Sequence, residues 1–326
     1  MKGNTGFKDI QVGIVGLGLM GSSIITSLLA AGHTVKAITP LPDEKKIVLA
    51  RIAGQLIQSE KCGLLVKPIE HYLSLLTISD DYRELNHCSL VVECVIEDIE
   101  IKETVLQKIV TSIGSDTVLA SNTSAIPISV LQKVIAYPER FIGIHWAEPA
   151  FATRFLEIIC GEQTSAQTAD WVFEIARHWG KEPTLLRRDI RGFITNRLMY
   201  SVYREALSLV GSGQTSIEDA DKAFRYDAGS WITLMGIFRR MDFMGLKDYP
   251  VIFNSLFPIL NNTDEVPAIM QNLVDRSAGD ARNHKRFYGY TAEETKNWDE
   301  AFASFNQDIY QFAAKYPSES MVKELG

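Results

Sequence analysis

A histidine, His145, closes the apolar run Phe141-Ile-Gly-Ile, and twelve residues later a single glutamate, Glu157, sits inside another, Phe155-Leu-Glu-Ile-Ile159. A carboxylate in such a setting needs a partner to offset its desolvation. Held against an imidazole, it fixes the ring tautomer and stabilises the imidazolium, which is what taking a proton from an alcohol requires. Ser121-Asn122-Thr123-Ser124 follows the short apolar run that starts at Val118, and Gly192-Phe-Ile-Thr-Asn196-Arg-Leu lies further on. These supply a hydroxyl and an amide that can donate to a substrate oxygen. Each piece alone has a plainer reading, a hydroxyl turn or helix cap for Ser121 to Ser124 and a packed side chain for His145. Together they fit hydride transfer from a secondary alcohol, with His145 as base, Glu157 as its orienter, and Ser124 and Asn196 as donors.

Hydride transfer needs an acceptor, and Gly16-Leu-Gly18-Leu19-Met20-Gly21 points to one. The segment follows an apolar strand and opens a helix, the context in which GxGxxG carries meaning. Gly16 permits the tight turn, Gly18 lets backbone approach a pyrophosphate, and Gly21 lets helix and strand pack closely. The helix start then offers free N–H groups to the phosphates. The second strand ends in Thr39, where an acid is expected to bind the adenosine ribose hydroxyls and repel a 2′-phosphate. Threonine hydrogen-bonds but does not repel, so NAD is expected and NADP stays open. Lys45 and Lys46 have reach for a phosphate, but Asp43 and Glu44 offset them, and a solvated helix start accounts for all four.

The elements that must position these residues alternate. Strands are expected at 10–15, 33–38, 90–95, 118–121, 141–144 and 155–159, with helices between them at 101–112 and 128–135 and after them at 164–180. The stretch 43–76 carries helix-period apolar residues broken by Cys62-Gly63 and Pro68, an inserted helical hairpin. From about Phe193 the pattern is helical, at 196–210, 217–224, 267–276 and 292–316. This predicts an α/β class: a Rossmann-type doubly wound, mostly parallel sheet over residues 1–189, then an all-α domain over 190–326. The site is expected in the cleft between the sheet's carboxyl edge and the helical domain.

With these motifs in order, the chain resembles the 3-hydroxyacyl-CoA dehydrogenase family over nearly its whole length. The residues that carry the likeness are the glycine turn, Val91-Val-Glu-Cys-Val-Ile-Glu-Asp-Ile-Glu-Ile-Lys102, Ser121 to Ser124, Gly143-Ile-His-Trp-Ala-Glu-Pro149, Glu157, Gly180-Lys-Glu-Pro183 and Gly192 to Leu198. The resemblance implies that Ser124, His145, Glu157 and Asn196 form the active site, that Glu97, Lys102 and Asn122 lie beside NAD, and that the protein serves fatty acid metabolism. Three departures stand out. Thr39 replaces the acid, and Glu148 replaces an asparagine expected to approach cofactor, which adds a negative charge close to the base, there to raise the basicity of His145 or to recognise a cationic substrate group. The segment Phe224 to Asp242 replaces one rich in glycine and proline. The tail from Arg286 to Tyr316 is similar to that of shorter relatives acting on free hydroxy acids, the carnitine and gulonate dehydrogenases, so the substrate is an acyl-CoA or a small free 3-hydroxy acid.

The bulk properties fit this reading. A net charge of −7, with 33 basic and 40 acidic residues in 326, leaves no basic footprint for nucleic acid. Four cysteines without CxxC spacing and six scattered histidines suggest neither a disulfide framework nor a metal site. No run approaches the roughly 18 apolar residues needed to span a bilayer, and the start lacks a signal-peptide core, so a cytoplasmic protein is expected. The apolar stretches 231–243 and 249–260 predict a homodimer, with burial in the domain's own core as the competing reading. A different class also fits the scaffold, a non-catalytic cofactor-binding or crystallin-like structural protein, which has no need of Ser124, His145, Glu157 and Asn196 together.

Overall fold

The computed structural model describes residues 7, 10–39, 44–277 and 287–316. Asp43, Arg286 and most of the chain's first nine residues lie outside them. The chain divides into two compact units, Met1–Ile194 and Thr195–Gly326, against an expected boundary at 189/190.

The first unit runs β1 (Gln11–Val15), α1 (Leu19–Ala30), β2 (Thr34–Ile38), α2 (Glu44–Lys61), α3 (Ile69–Leu73), β3 (Leu76–Ser79), β4 (Leu90–Glu93), α4 (Ile99–Val110), β5 (Val118–Ser121), α5 (Ile128–Leu131), β6 (Phe141–Trp146), β7 (Phe155–Cys160), α6 (Ala166–His178) and β8 (Glu182–Leu186). Eight strands form one sheet in the order β3-β2-β1-β4-β5-β6-β7-β8, with β6 and β7 antiparallel and the other neighbours parallel. The central strands are continuous apolar runs because helices cover both faces of the sheet. Val12, Ile14, Val92, Ile144 and Ile158 belong to the core on one face, and Val15, Val91, Leu119 and Ile159 to the other. Helix α1 packs deepest: every residue from Gly21 to Leu29 is buried, which its run of small hydroxyl side chains allows.

Two strands were not foreseen. β3 and β8 are the sheet's edges, four and five residues long with no residue fully buried, so neither shows a full alternating pattern. β8 also contains Pro183, which an edge tolerates because one row of its backbone groups faces no partner. The inserted hairpin is lopsided, α2 spanning 18 residues and α3 five.

The second unit comprises α7 (Thr195–Gly211), α8 (Ile217–Ala223), α9 (Gly229–Met244), α10 (Tyr249–Leu256), α11 (Ala268–Ser277) and α12 (Ala292–Lys315). Ser216 caps α8, and a Thr291–Glu294 capping box starts α12. None of the unit's described residues is buried. Phe238, Phe243, Val251 and Ile259 are each more than 70% exposed, at 81, 73, 72 and 76%.

Candidate active site

The antiparallel register of β6 and β7 sets His145 directly opposite Glu157. Side chains so paired lie on one face within contact distance. Glu157 Oε2 is 2.8 Å from His145 Nδ1, and its Oε1 accepts from the backbone N–H of Ile194 at 3.0 Å. A carboxylate only accepts, so Nδ1 carries a proton, and in the neutral ring Nε2 presents its lone pair. The Glu157 side chain is 1% exposed and that of His145 11%, so one member of the pair is sealed and the other meets solvent. The rings of Phe155 and Phe193 flank the imidazole, with centroids at 5.7 and 5.8 Å. Phe193 is buried with φ of 51°, an uncommon conformation for a bulky side chain, and it directs the next N–H at Glu157. The Gly192–Leu198 motif therefore contributes Phe193 and Ile194 to the surroundings of this pair.

A second buried acid ends β4. Glu93 accepts from Lys102 Nζ at 2.9 and 3.1 Å, from Ser121 Oγ at 2.6 Å and from the Val95 N–H at 2.6 Å. Lys102 and Glu93 have no exposed side-chain surface. Glu97 lies 3.4 Å from the same ammonium, and its Oε1 accepts from Thr123 Oγ1 and the N–H groups of Ser124 and Ala125 at 2.6, 2.8 and 3.0 Å. Burial pushes the Glu97 carboxyl up, but these bonds and Lys102 outweigh it and hold it below the usual range. Lys102 and Glu97 thus fix the turn that presents Ser124. Asn122 joins three strand ends, its N–H donating to Glu93 O at 2.8 Å and its Oδ1 accepting from Trp146 N at 3.1 Å. Glu93 carried the signal that singled out Glu157, an acid in an apolar run, yet the sequence reading passed over it.

The glycine turn fits a dinucleotide. Gly16 has φ of +96°, and a Cβ there would meet Cys94 and Val95 backbone at 2.8 Å. A Cβ on Gly21 would fall 1.9 Å from Gly16 O, whereas at Gly18 nothing lies within 4 Å. The chain is thus packed against itself at Gly16 and Gly21 and open to a ligand at Gly18. No side chain caps α1, so its first-turn amides at Leu19 and Met20 face outward. Thr39 is buried at the end of β2, and its hydroxyl donates to Glu44 at 2.9 Å, so Glu44 is not part of a merely solvated helix start.

The loop between β6 and β7 carries Glu148, an exposed residue whose carboxyl accepts from the Ser23 hydroxyl and is pushed up by partial desolvation. Ser23 Oγ in turn accepts from the Ala150 N–H at 2.7 Å. Beneath the loop, Lys181 donates to Ala150 O and Thr153 O, both at 2.5 Å, and lies over the Trp146 ring. Burial, with Arg154 nearby, brings this ammonium down to about 7. Lys181 belongs to the Gly180–Pro183 motif, quoted above without a role for it. Asn196 is the second residue of α7 and belongs to the other unit. Among the described residues no cluster of three or more His, Cys, Asp or Glu could hold a metal, and no helix is long and apolar enough to cross a membrane.

Residues 11–190 match the NAD-binding domain of 3-hydroxyacyl-CoA dehydrogenase, and residues 192–290 match the C-terminal domain of the same enzymes. The chain is 32% identical over 289 residues to 5-formyl-3-hydroxy-2-methylpyridine 4-carboxylate 5-dehydrogenase of Mesorhizobium japonicum, covering 88% of this chain and 92% of that protein. It is 31% identical over 236 residues to L-carnitine dehydrogenase of Oceanobacillus iheyensis, covering 72% and 76%. A solved structure of a 5-formyl-3-hydroxy-2-methylpyridine 4-carboxylic acid 5-dehydrogenase, described as an NAD+-dependent dismutase, superposes with a TM-score of 0.86 at 29% identity, covering 93% of this chain and 98% of that one. Matched in both its α/β and its helical part, the chain belongs to the 3-hydroxyacyl-CoA dehydrogenase family of NAD-dependent oxidoreductases.

Proposed function

We propose that the protein interconverts a 3-hydroxy and a 3-keto group, with His145 as the base and Glu157 as the residue that orients it. The observation that carries this reading is the 2.8 Å contact between Nδ1 and a sealed carboxylate, which leaves Nε2 as the free acceptor. In the oxidative direction the alcohol O–H gives its proton to Nε2 and the carbon gives up hydride. When bound, NAD supplies the hydride acceptor. Glu157 stabilises the imidazolium so formed, and the ring returns the proton in the reverse direction. Ser124, on the turn held by Glu97, donates to the substrate oxygen, and Asn196 supplies the second contact. The glycine turn, Asn122, Glu97, Lys102 and Glu148 build the cofactor side, Lys102 acting through the two acids it joins.

The substrate carries its hydroxyl at C3, on a CoA thioester or on a free acid. Relatives named as a 3-hydroxybutyryl-CoA dehydrogenase and as an L-carnitine dehydrogenase represent the two kinds, and the acidic Glu148, three residues after His145 in the chain, favours a free acid with a cationic or hydrogen-bond-donating end. The helical unit completes its core with a second copy of the chain, because a set of helices with large aromatic and aliphatic side chains exposed and none buried among the described residues lacks the apolar burial that stabilises a domain. NADH oxidation measured with acetoacetyl-CoA beside a panel of free 3-keto acids tests the chemistry. Turnover of one class and its loss in His145→Gln are expected; turnover of neither class overturns the reading. Light scattering is expected to give twice the chain mass, and a monomer would contradict the shared core.

A further inference from the structure

We infer that Glu44, carried on the inserted helix α2, takes the place of the acid that Thr39 lacks and is the residue that sets the preference for NAD over NADP. The inference rests on the reading of the glycine turn as the dinucleotide site. Gly16 N donates to Ile38 O at 3.3 Å, which ties the turn directly to the last residue of β2. Thr39 is the next residue. Its N–H is used by Ser79 O at 3.0 Å, and its buried hydroxyl donates to Glu44 Oε2 at 2.9 Å. The carboxylate is thereby held at the strand end beside the turn, the position from which an acid meets the adenosine ribose in this architecture.

Helix α2 is in turn pinned to the same region. Arg51 Nη1 donates to Leu17 O at 3.1 Å and to Ser22 Oγ at 3.2 Å, so an α2 side chain grips the carbonyl between Gly16 and Gly18. One turn on, Gln55 Oε1 accepts from the Thr26 hydroxyl at 2.8 Å. The first residue of α2 is therefore fixed by the remainder of the helix as well as by Thr39. A carboxylate offers about four acceptor positions, and one threonine proton fills a single one of them. The rest suit a pair of ribose hydroxyls and repel a 2′-phosphate. Lys45, the next residue, lies 3.8 Å from Asp80, an acid that competes for it.

Dissociation constants for NADH and NADPH, measured by fluorescence titration of the full chain without substrate, test this. The wild type is expected to favour NADH. Glu44→Gln keeps the shape and an acceptor for Thr39 but removes the charge, and is expected to reduce the NADH preference about tenfold, as losing a charge-assisted bond of about 1.4 kcal/mol does. Glu44→Lys is expected to reverse the preference, with NADPH binding that weakens as salt is added. Thr39→Asp in the Glu44→Gln background is expected to restore the preference for NADH. A ratio that stays within about twofold of wild type in both position-44 variants, on the scale where 1.4 kcal/mol is tenfold, overturns the assignment. A wild type that binds neither dinucleotide overturns the underlying reading of the turn instead, and the inference with it.

Discussion

β4 ends in a fully buried glutamate and β7 carries another at its third position, and the two are satisfied in different ways. Glu93 has both oxygens on the Lys102 ammonium, with a serine hydroxyl and a backbone N–H filling further acceptor sites. Glu157 has one oxygen on an imidazole and the other on the Ile194 N–H. Burial is the same, but the partner differs. An imidazole has a nitrogen that can take up a proton and give it back, so the pair at β7 has the parts to hand one on, whereas the ion pair at β4 can only hold its neighbours in place. On the function proposed above, the fold thus uses one acid for chemistry and one for the rigidity of the turn that carries Ser124.

Exchanging the charges separates these roles. The largest effect is expected from Glu157→Gln, whose amide can donate to Nδ1 and force the proton onto Nε2. Turnover is expected to fall about 10³-fold, within the range assigned to a positioned acid–base group, with NADH affinity little changed. A loss of less than about tenfold, well below that range, would place Glu157 with Glu93 as a structural acid. Lys102→Met comes next. It leaves Glu93 buried and unpaired, which is expected to destabilise the protein by about 3 kcal/mol in chemical denaturation. Adding Glu93→Gln is expected to recover most of that loss, and strictly additive penalties would show that the two do not act as a pair.

A third buried titratable group marks the limit of the comparison, having no carboxylate at all. His33 Nδ1 lies 3.2 Å from Ile10 O, and Nε2 accepts from Trp179 Nε1 at 2.9 Å, which fixes a neutral ring. Burial, helped by His178, lowers it to about 4. The unfolded chain takes up this proton near pH 6.5 and the folded chain near 4. Its contribution to stability is therefore complete above 6.5, is lost as the pH falls from 6.5 to about 4, and does not change further below that. His33→Gln is expected to flatten this part of the denaturation profile, and an unchanged slope would mean other groups carry it.

The same contrasts explain what the sequence disclosed. Glu157 was legible because a histidine with a chemical reason to need it lay twelve residues upstream. Glu93 was equally conspicuous, but its partner Lys102 reads as a surface lysine in a helix's first turn until the fold seals it. The strand–turn–helix at Gly16 followed from local spacing, as did the alternation that predicts the central strands. β3 and β8 did not, since edge strands bury too little to leave a clear period. Glu44 was read as solvated because its bond to Thr39 depends on where α2 docks, a tertiary fact carried by Arg51 and Gln55. The roles of Lys181 and Phe193 likewise depend on tertiary contacts, with the Ala150 and Thr153 carbonyls and with the His145 ring, that their local sequence does not signal.

The pair at β7 is tested most directly by a single-turnover measurement. His145→Gln, loaded with NADH and mixed with whichever 3-keto substrate the wild type reduces, is followed by the decay of nicotinamide absorbance. Hydride transfer is expected to slow about 10³-fold while NADH still binds, which is the contribution a positioned general acid–base group makes. Transfer at the wild-type rate would contradict the account, because the imidazole that Glu157 orients would then take no part in moving the proton.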